Sequence, residues 1–189
     1  MRILLLTLGL ITSSISAADW SLQNPSSIHF LTSKNTHVTE VQHFKKFDAH
    51  IDENGQASLS IDLSSVETNI DIRNQRMLEH LFEVSRFASA NFEASIPNSV
   101  FKQVAAGKSV EYTLTGTVSL HGEKVTASND VIIHKNPDAS VTVTAITPLL
   151  IDANQFKLVA GINKLQELAG LQSITHTVPV LFSLTFKQH

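Results

Sequence analysis

Two arginines three residues apart, Arg73 and Arg76, are the side chains of this sequence best suited to holding an oxygen-rich group. Residues at this spacing lie on neighbouring positions of one helix face, and a guanidinium presents a fork of donors to oxygen acceptors. The alternative is a solvated helix surface on which the arginines pair with Glu79 or Glu83. Because exposed ion pairs are worth little, the solvated surface is the more economical interpretation.

Histidines suggest a second kind of chemistry, the ligation of a metal or haem. His37 and His43 share one face of a candidate strand, but three two-residue steps, roughly 20 Å, separate them. His50 has the opposite parity unless a hairpin forms at Lys45 and Lys46. Since no spacing typical of a metal site occurs, we expect surface histidines, no metal and no cofactor.

The motifs typical of common enzyme classes do not occur in the sequence. It contains no Gly-x-Ser-x-Gly elbow, no glycine-rich phosphate loop and no cysteine nucleophile. A catalytic triad assembled from distant residues would leave no such motif, so the evidence is indirect. We expect a protein that is not an enzyme.

Most of the elements that would position these side chains are strands, because polar and apolar residues alternate along the chain. Tyr112 and Leu114, for example, alternate with Thr113 and Thr115. Successive strand side chains point to opposite faces, so each such segment is half buried. We expect strands at residues 28–31, 37–44, 47–51, 57–63, 92–96, 110–121, 124–134, 140–147 and 182–187. About eight or nine antiparallel strands of this kind describe a mainly β meander, arranged as a barrel or a sandwich.

Two segments, residues 70–83 and 159–171, instead carry apolar side chains at helical spacing. We expect two short helices, each covering or plugging one barrel opening. The alternative is that one of them is a lid over a ligand. No repeat or linker divides the chain, so a single domain over residues 19–189 is expected.

The amino-terminal residues 1–18 have the pattern of a secretory signal peptide, with basic Arg2, an apolar run and small residues ending at Ala18. The run is shorter than the about 20 residues that a bilayer-spanning helix needs, and no later run matches it. We therefore expect export by a cleaved signal peptide and no stable membrane insertion.

Charge and cysteine content narrow the class of protein further. The formal net charge of −3 gives no support to nucleic-acid binding, which favours a basic face. The sequence has no cysteine, so disulfides cannot stabilise the fold. A domain of this length can bury about two thirds of its unfolded surface, so burial alone is sufficient.

Several segments together have the pattern of one protein family. An alternating strand at residues 58–63 leads through residues 65–69 into an arginine-containing helix at 72–82, followed by the segments 84–92 and 112–122. In this order they resemble the YceI-like family of periplasmic, lipocalin-like barrels that bind polyisoprenoid lipids. The chain departs from the family pattern at Ala88, where a proline is usual, and over about its last forty residues.

The resemblance implies a periplasmic carrier that sequesters an isoprenoid lipid or isoprenoid quinone in the barrel. A barrel of about eight strands either fills its interior with side chains or keeps room for one small ligand. Small inward residues at Ala57, Gly116, Ala127 and Ala145 leave volume for a ligand unless large side chains opposite fill it. The alternative is a packed, non-enzymatic barrel that acts through protein contacts on its surface, in a stress or envelope role. The sequence is compatible with a homodimer.

Strand face and family position together predict which residues bind the ligand. The polar headgroup is expected to contact Asn69, Arg73 and Arg76. The cavity residues are expected to be Phe44, Phe47, Leu59, Ile61, Phe82, Phe92, Tyr112, Leu114, Phe182 and Leu184.

Overall fold

The computed structural model describes residues 19–189, and the predicted signal peptide at residues 1–18 lies outside them. The described chain is mainly β. Its strands are β1 (Trp20–Lys34), β2 (Val38–Phe44), β3 (Phe47–Ile51), β4 (Gln56–Asp62), β5 (Val66–Glu67), β6 (Ser89–Ser95), β7 (Ser109–Leu120), β8 (Glu123–Lys135), β9 (Val141–Ala145), β10 (Leu149–Asp152) and β11 (Thr177–Gln188). Its helices are α1 (Asp71–Arg76), a π-helix (Met77–Leu81), α2 (Asn98–Gln103) and α3 (Val159–Ala169), with a 3₁₀ turn at Leu63–Ser65.

The strands form one antiparallel sheet that closes on itself, because β11 pairs with β1. Both β2 and β3 pair with β1, so they are two halves of one wall strand interrupted at Lys45 and Lys46. The wall then has the order β1, β2 with β3, β4, β6, β7, β8, β9, β11, while β5 and β10 are short additions. The predicted barrel of about eight antiparallel strands is confirmed.

One end of the barrel is filled by side chains. Trp20 stacks on Phe101 of α2 with ring centroids 5.7 Å apart. Above them Val131 and Ile133 are only 0% and 1% exposed. The sequence does not predict α2, because a helix of six residues with a single buried side chain shows almost no periodicity. We refer to this as the closed end.

The other helices lie together at the opposite end. α1 and the π-helix connect the end of β4 to the start of β6, and these two strand ends are paired. α3 lies in the connection from β9 and β10 to the start of β11, at the same end of the barrel. A Cβ on Gly161 of α3 would lie only 2.4 Å from the carbonyl oxygen of His80 in the π-helix. Both predicted helices therefore cover the same opening of the barrel, and we call this shared end the helical end.

The first of these helices changes its geometry midway. The sequence predicts one α-helix over residues 70–83, but the amide of Phe82 donates to the carbonyl of Met77, five residues earlier, at 2.9 Å. A wider π turn brings residues five apart onto one side. Met77 and Phe82 are both buried as a result, at 5% and 7% exposure.

Between residues 19 and 189, no helix combines the length and the apolar character needed to cross a bilayer.

Candidate functional site

A cavity of about 520 Å³ lies inside the barrel, between the closed end and the helices. Cavities that hold small ligands usually measure about 300 to 1,000 Å³ and are lined mainly by apolar side chains. The wall here follows that rule, with aliphatic and aromatic side chains from β1, β4 and β11, the π-helix and α3. The size and the lining both suit an apolar ligand.

Several inward-facing side chains in the middle of the barrel are less buried than the side chains of a packed core would be. Leu59, Ile61, Phe92 and Phe182 lie on the inner face, yet each is only half-buried. In a closed barrel this remaining exposure is exposure to the cavity. The interior is thus packed at the closed end and hollow toward the helical end.

The structure brings most of the predicted cavity residues together on one wall. These are Phe44, Leu59, Ile61, Phe82, Phe92, Leu114, Phe182 and Leu184. Phe47 and Tyr112 do not lie on the wall but pack, partly buried, against the core of the closed end. Alternation predicts the face on which a side chain lies but not its depth along the barrel axis. Tyr112 lies near the start of β7, at the level of the fully buried Val131, and therefore belongs to the closed end. Contact with a ligand stays a prediction for all ten.

The small inward residues do not all contribute space. Ala57 and Ala127 lie on the cavity wall, whereas Ala145 is buried but does not line the cavity. A Cβ on Gly116 would lie 2.4 Å from the ring of Phe92, so that ring already covers the glycine. The prediction that Gly116 leaves volume for a ligand is therefore wrong.

A polar cluster lies where the cavity approaches the helical end. Arg73 donates from Nη1 to Oε2 of Glu40 at 2.6 Å, and Lys34 Nζ donates to the same oxygen at 3.0 Å. Burial alone would raise the pKa of Glu40, but the hydrogen bonds from Lys34 and Arg73 outweigh it and hold that pKa below its ordinary value. Glu40 is therefore a carboxylate that offsets part of the cationic charge at this edge.

The second arginine links the helices at this end. Arg76 donates from Nη1 to the carbonyl oxygen of Leu168, near the end of α3, at 3.2 Å. The predicted surface pairing of the arginines with Glu79 or Glu83 does not form, since Glu83 pairs with Arg86 and His121 instead. Arg73 and Arg76 both lie on the cavity wall, which a solvated surface pair would not do.

Sequence reasoning missed Gln42, which is only 2% exposed and belongs to the polar cluster. Its amide donates to Oγ1 of Thr32 at 3.5 Å, while Oε1 has no hydrogen-bond partner among the described residues. The same holds for Nε of Arg73. The alternation of Glu40, Gln42 and Phe44 on one face of β2 is the sequence signal that places Gln42 inside the barrel.

Asn69 does not lie on the cavity wall. It has a positive φ of 60°, and its backbone amide donates to Oε1 of Glu67 at 2.6 Å. Glu67 also accepts from the side-chain amide of Asn74 and pairs with Lys45. The hydrogen bonds from Lys45, Asn74 and the Asn69 backbone lower the pKa of Glu67 from 4.5 to about 2. Asn69 and Glu67 therefore shape the turn into α1.

Replacing Glu67 by Gln is expected to lower the melting temperature at neutral pH but not at strongly acid pH. A carboxylate with a lowered pKa stabilises the fold above pH 4.5, and this contribution is lost as the pH falls toward about 2. Thermal unfolding of both proteins by circular dichroism across this range measures it. A difference in melting temperature that persists undiminished at the acid limit would contradict this role.

His43 and His50 do not come together, whereas His43 lies beside His29 with ring centroids 5.9 Å apart. β2 and β3 continue along one wall strand, so a hairpin at Lys45 and Lys46 does not bring His43 to His50. Over residues 19–189, no group of three or more metal-binding side chains occurs.

The cavity opens at the helical end. The exposed side chains of its wall there are Ile70 and Ile72 at the start of α1, Ala169 at the end of α3, and Thr175. Ile70 and Ile72 are 45% and 53% exposed. This mouth lies beside the polar cluster, because Ile72 directly precedes Arg73.

Comparison with known proteins agrees with this architecture. The model of the YceI-like domain matches residues 20–186. A polyisoprenoid binding domain from Saccharophagus degradans, implicated in plant cell wall breakdown, is 34% identical, with a TM-score of 0.86 over 89% of this chain and 97% of that one. No curated protein matches the chain significantly.

Two more distant structures share the fold alone. BcnA from Burkholderia cenocepacia is 20% identical, with a TM-score of 0.65 over 85% of this chain and 95% of that one. A YceI protein from Campylobacter jejuni is 17% identical, with a TM-score of 0.51 over 78% and 84% of the two chains. From the family match, the closed barrel and its cavity, we conclude that this chain belongs to the YceI-like family.

Proposed function

We propose that this protein binds and carries an amphiphilic isoprenoid lipid, with the apolar tail inside the barrel. The observation that carries this proposal is the apolar cavity of about 520 Å³, which is enclosed by the wall strands and open at the helical end. The related domain from Saccharophagus degradans, described as polyisoprenoid binding, supports the same class of ligand.

The energetics of such binding favour a long hydrocarbon tail. Each CH₂ group that leaves water for an apolar site contributes about 0.8 kcal/mol. A tail of a few isoprene units therefore gains enough to offset the freedom it loses on binding, without many polar contacts. The half-buried side chains of Leu59, Ile61 and Phe182 would gain van der Waals contacts with such a tail.

The polar end of the ligand is proposed to lie at the polar cluster. Gln42 Oε1 and Arg73 Nε have no hydrogen-bond partner although both atoms are buried, and buried polar groups are normally paired, so a headgroup would reach them through a shift of the neighbouring side chains. A quinone ring offers carbonyl acceptors to a guanidinium, and its reduced form offers hydroxyl donors to an amide oxygen. An isoprenoid quinone is thus one ligand that fits both groups. The predicted headgroup role of Asn69 has no such geometric support, because Asn69 lies off the wall.

The place of action is proposed to be the periplasm. The support is the signal-peptide pattern of residues 1–18 together with the apolar cargo, which needs a carrier to cross an aqueous compartment. Attaching residues 1–18 to a reporter active only after export tests this location, and a reporter that stays inside the cell would contradict it.

The role of Arg73 in headgroup binding is testable by exchanging its ion pair. The double variant Glu40→Arg with Arg73→Glu keeps opposite charges at these two positions and moves the guanidinium away from α1, while Lys34 loses its carboxylate partner at position 40. If Arg73 contacts the headgroup, quinone affinity is expected to fall roughly tenfold, the worth of one hydrogen bond to a charged group. Calorimetric titration measures the affinity, and thermal unfolding of the same variant shows whether the exchanged pair preserves stability. Unchanged affinity would assign Arg73 a purely structural role.

The binding function itself is tested with protein freed of lipid by organic extraction and refolding. Such protein is expected to take up an isoprenoid quinone at one molecule per chain, as measured by ultraviolet absorbance after gel filtration. A short-tailed quinone with the same ring serves as the control and should bind more weakly, since the tail supplies most of the free energy. Equal affinity for both quinones would place the ligand outside the cavity.

A further inference from the structure

Three exposed aliphatic side chains lie beside the cavity mouth, and we call them the mouth patch. They are Val38, Ile70 and Ile72, with exposed fractions of 45%, 45% and 53%. Val38 is two residues from Glu40 on the same face of β2, and the ion pair between Glu40 and Arg73 brings α1 to this strand. The mouth patch is therefore formed where the β1–β2 hairpin meets the start of α1.

The mouth patch is continuous with the interior of the barrel. Ile70 and Ile72 belong to the cavity wall although about half of each is exposed to solvent. α1 itself has no buried residue, so packing of the helix does not explain why two isoleucines occupy its start. Exposed large apolar side chains that are grouped around an opening are typical of an interaction site.

The charged side chains around the patch carry a net positive charge. Lys34, Arg73 and Arg76 surround the mouth, whereas the carboxylates are Glu40 on the cavity wall and the exposed Asp71 between Ile70 and Ile72. The chain as a whole has a net charge of −3, so this edge differs from the average surface. Aliphatic side chains next to lysine and arginine suit the interface of a bilayer that contains anionic lipid.

We propose that the mouth patch docks transiently on the surface of a lipid bilayer, so that an isoprenoid lipid passes between membrane and cavity without entering water. This inference rests on the proposed function, because it takes the membrane as the source of the cavity's ligand. Three half-exposed aliphatic side chains bury little area, so the contact is weak and reversible. A carrier needs such a contact, since a tightly inserted protein could not leave with its cargo.

The test uses the purified full-length mature chain and vesicles of phosphatidylcholine with phosphatidylglycerol in a flotation assay. Replacing Ile70 and Ile72 by Ser is expected to lower the vesicle partition coefficient roughly thirtyfold, because two half-buried aliphatic contacts are lost. The matched control replaces Ile132 and Leu150 by Ser, which are 37% and 62% exposed and lie off the cavity wall. The control is expected to partition like the unaltered protein.

Equal partitioning of the Ile70 and Ile72 variant and the unaltered protein would overturn the docking proposal. So would binding to native membrane vesicles but not to pure lipid, which would point to a membrane protein as the partner. Retention of an isoprenoid delivered from ethanol in the absence of vesicles is measured separately on the unaltered protein. Failure there refutes the proposed function, whereas failure of flotation alone refutes only the docking surface.

Discussion

Replacing Leu59 by Trp is expected to abolish lipid retention while the barrel stays folded. Leu59 lies in β4 on the inner face, is half-buried and belongs to the cavity wall. The Leu59 side chain borders the cavity, so an indole ring at this position would extend into the space that a lipid tail would occupy. Bound lipid per chain after organic extraction should fall to near zero, with the melting temperature changed by only a few degrees.

Leu114 provides the matched comparison, because it lies on the same wall but is only 7% exposed. An indole at Leu114 must displace packed neighbours, and overfilling of this kind costs about 1 to 3 kcal/mol. The two variants thus separate loss of ligand from loss of stability. If Leu59→Trp lost as much stability as Leu114→Trp and still retained lipid, the cavity would not be the binding site.

Replacing Gly161 by Ala is expected to have the second largest effect, on both stability and ligand retention. The added Cβ would lie 2.4 Å from the carbonyl oxygen of His80 and 2.8 Å from the Cα of Leu81. These are backbone atoms, so α3 must move away from the π-helix. We expect a loss of about 1 to 3 kcal/mol in the free energy of unfolding, and faster release of bound lipid as the helical end loosens.

The control for this variant is Gly170→Ala at the end of α3. Gly170 has a positive φ of 62° and no atom within 4 Å of an added Cβ, so the change adds backbone strain without a clash. It should cost about 1 kcal/mol and leave lipid release unchanged. Denaturant unfolding and the rate of lipid transfer to acceptor vesicles measure the two effects. Release from Gly161→Ala at the unaltered rate would show that the helical end does not gate the cavity.

The barrel could be predicted from the sequence because side-chain alternation is a local property. A strand such as β4 shows its inward face in Ala57, Leu59 and Ile61 without reference to any other strand. The same reasoning placed Phe92 and Phe182 on the cavity wall. The family resemblance then supplied closure of the sheet, which alternation alone does not specify.

The arrangement of the helices could not be predicted, because it depends on which strand ends meet in space. Amphipathic spacing shows that α3 buries one face, but not that this face packs on the π-helix. The partners of Arg73 and Arg76 follow from that same packing: Glu40 and the carbonyl of Leu168 lie 33 and 92 residues away in the sequence. The depth of a side chain inside the barrel likewise depends on long-range strand register, which is why the sequence predicts Tyr112 on the cavity wall although it does not lie there.

The central claim, that the cavity carries an isoprenoid lipid, is tested most directly by native mass spectrometry of the protein purified from its own cells without detergent. The intact mass should exceed that of the chain by one lipid, and organic extraction should release an isoprenoid in equal amount. An empty protein that also fails to take up added quinones or polyprenyl lipids would contradict the account and favour a barrel that acts through its surface.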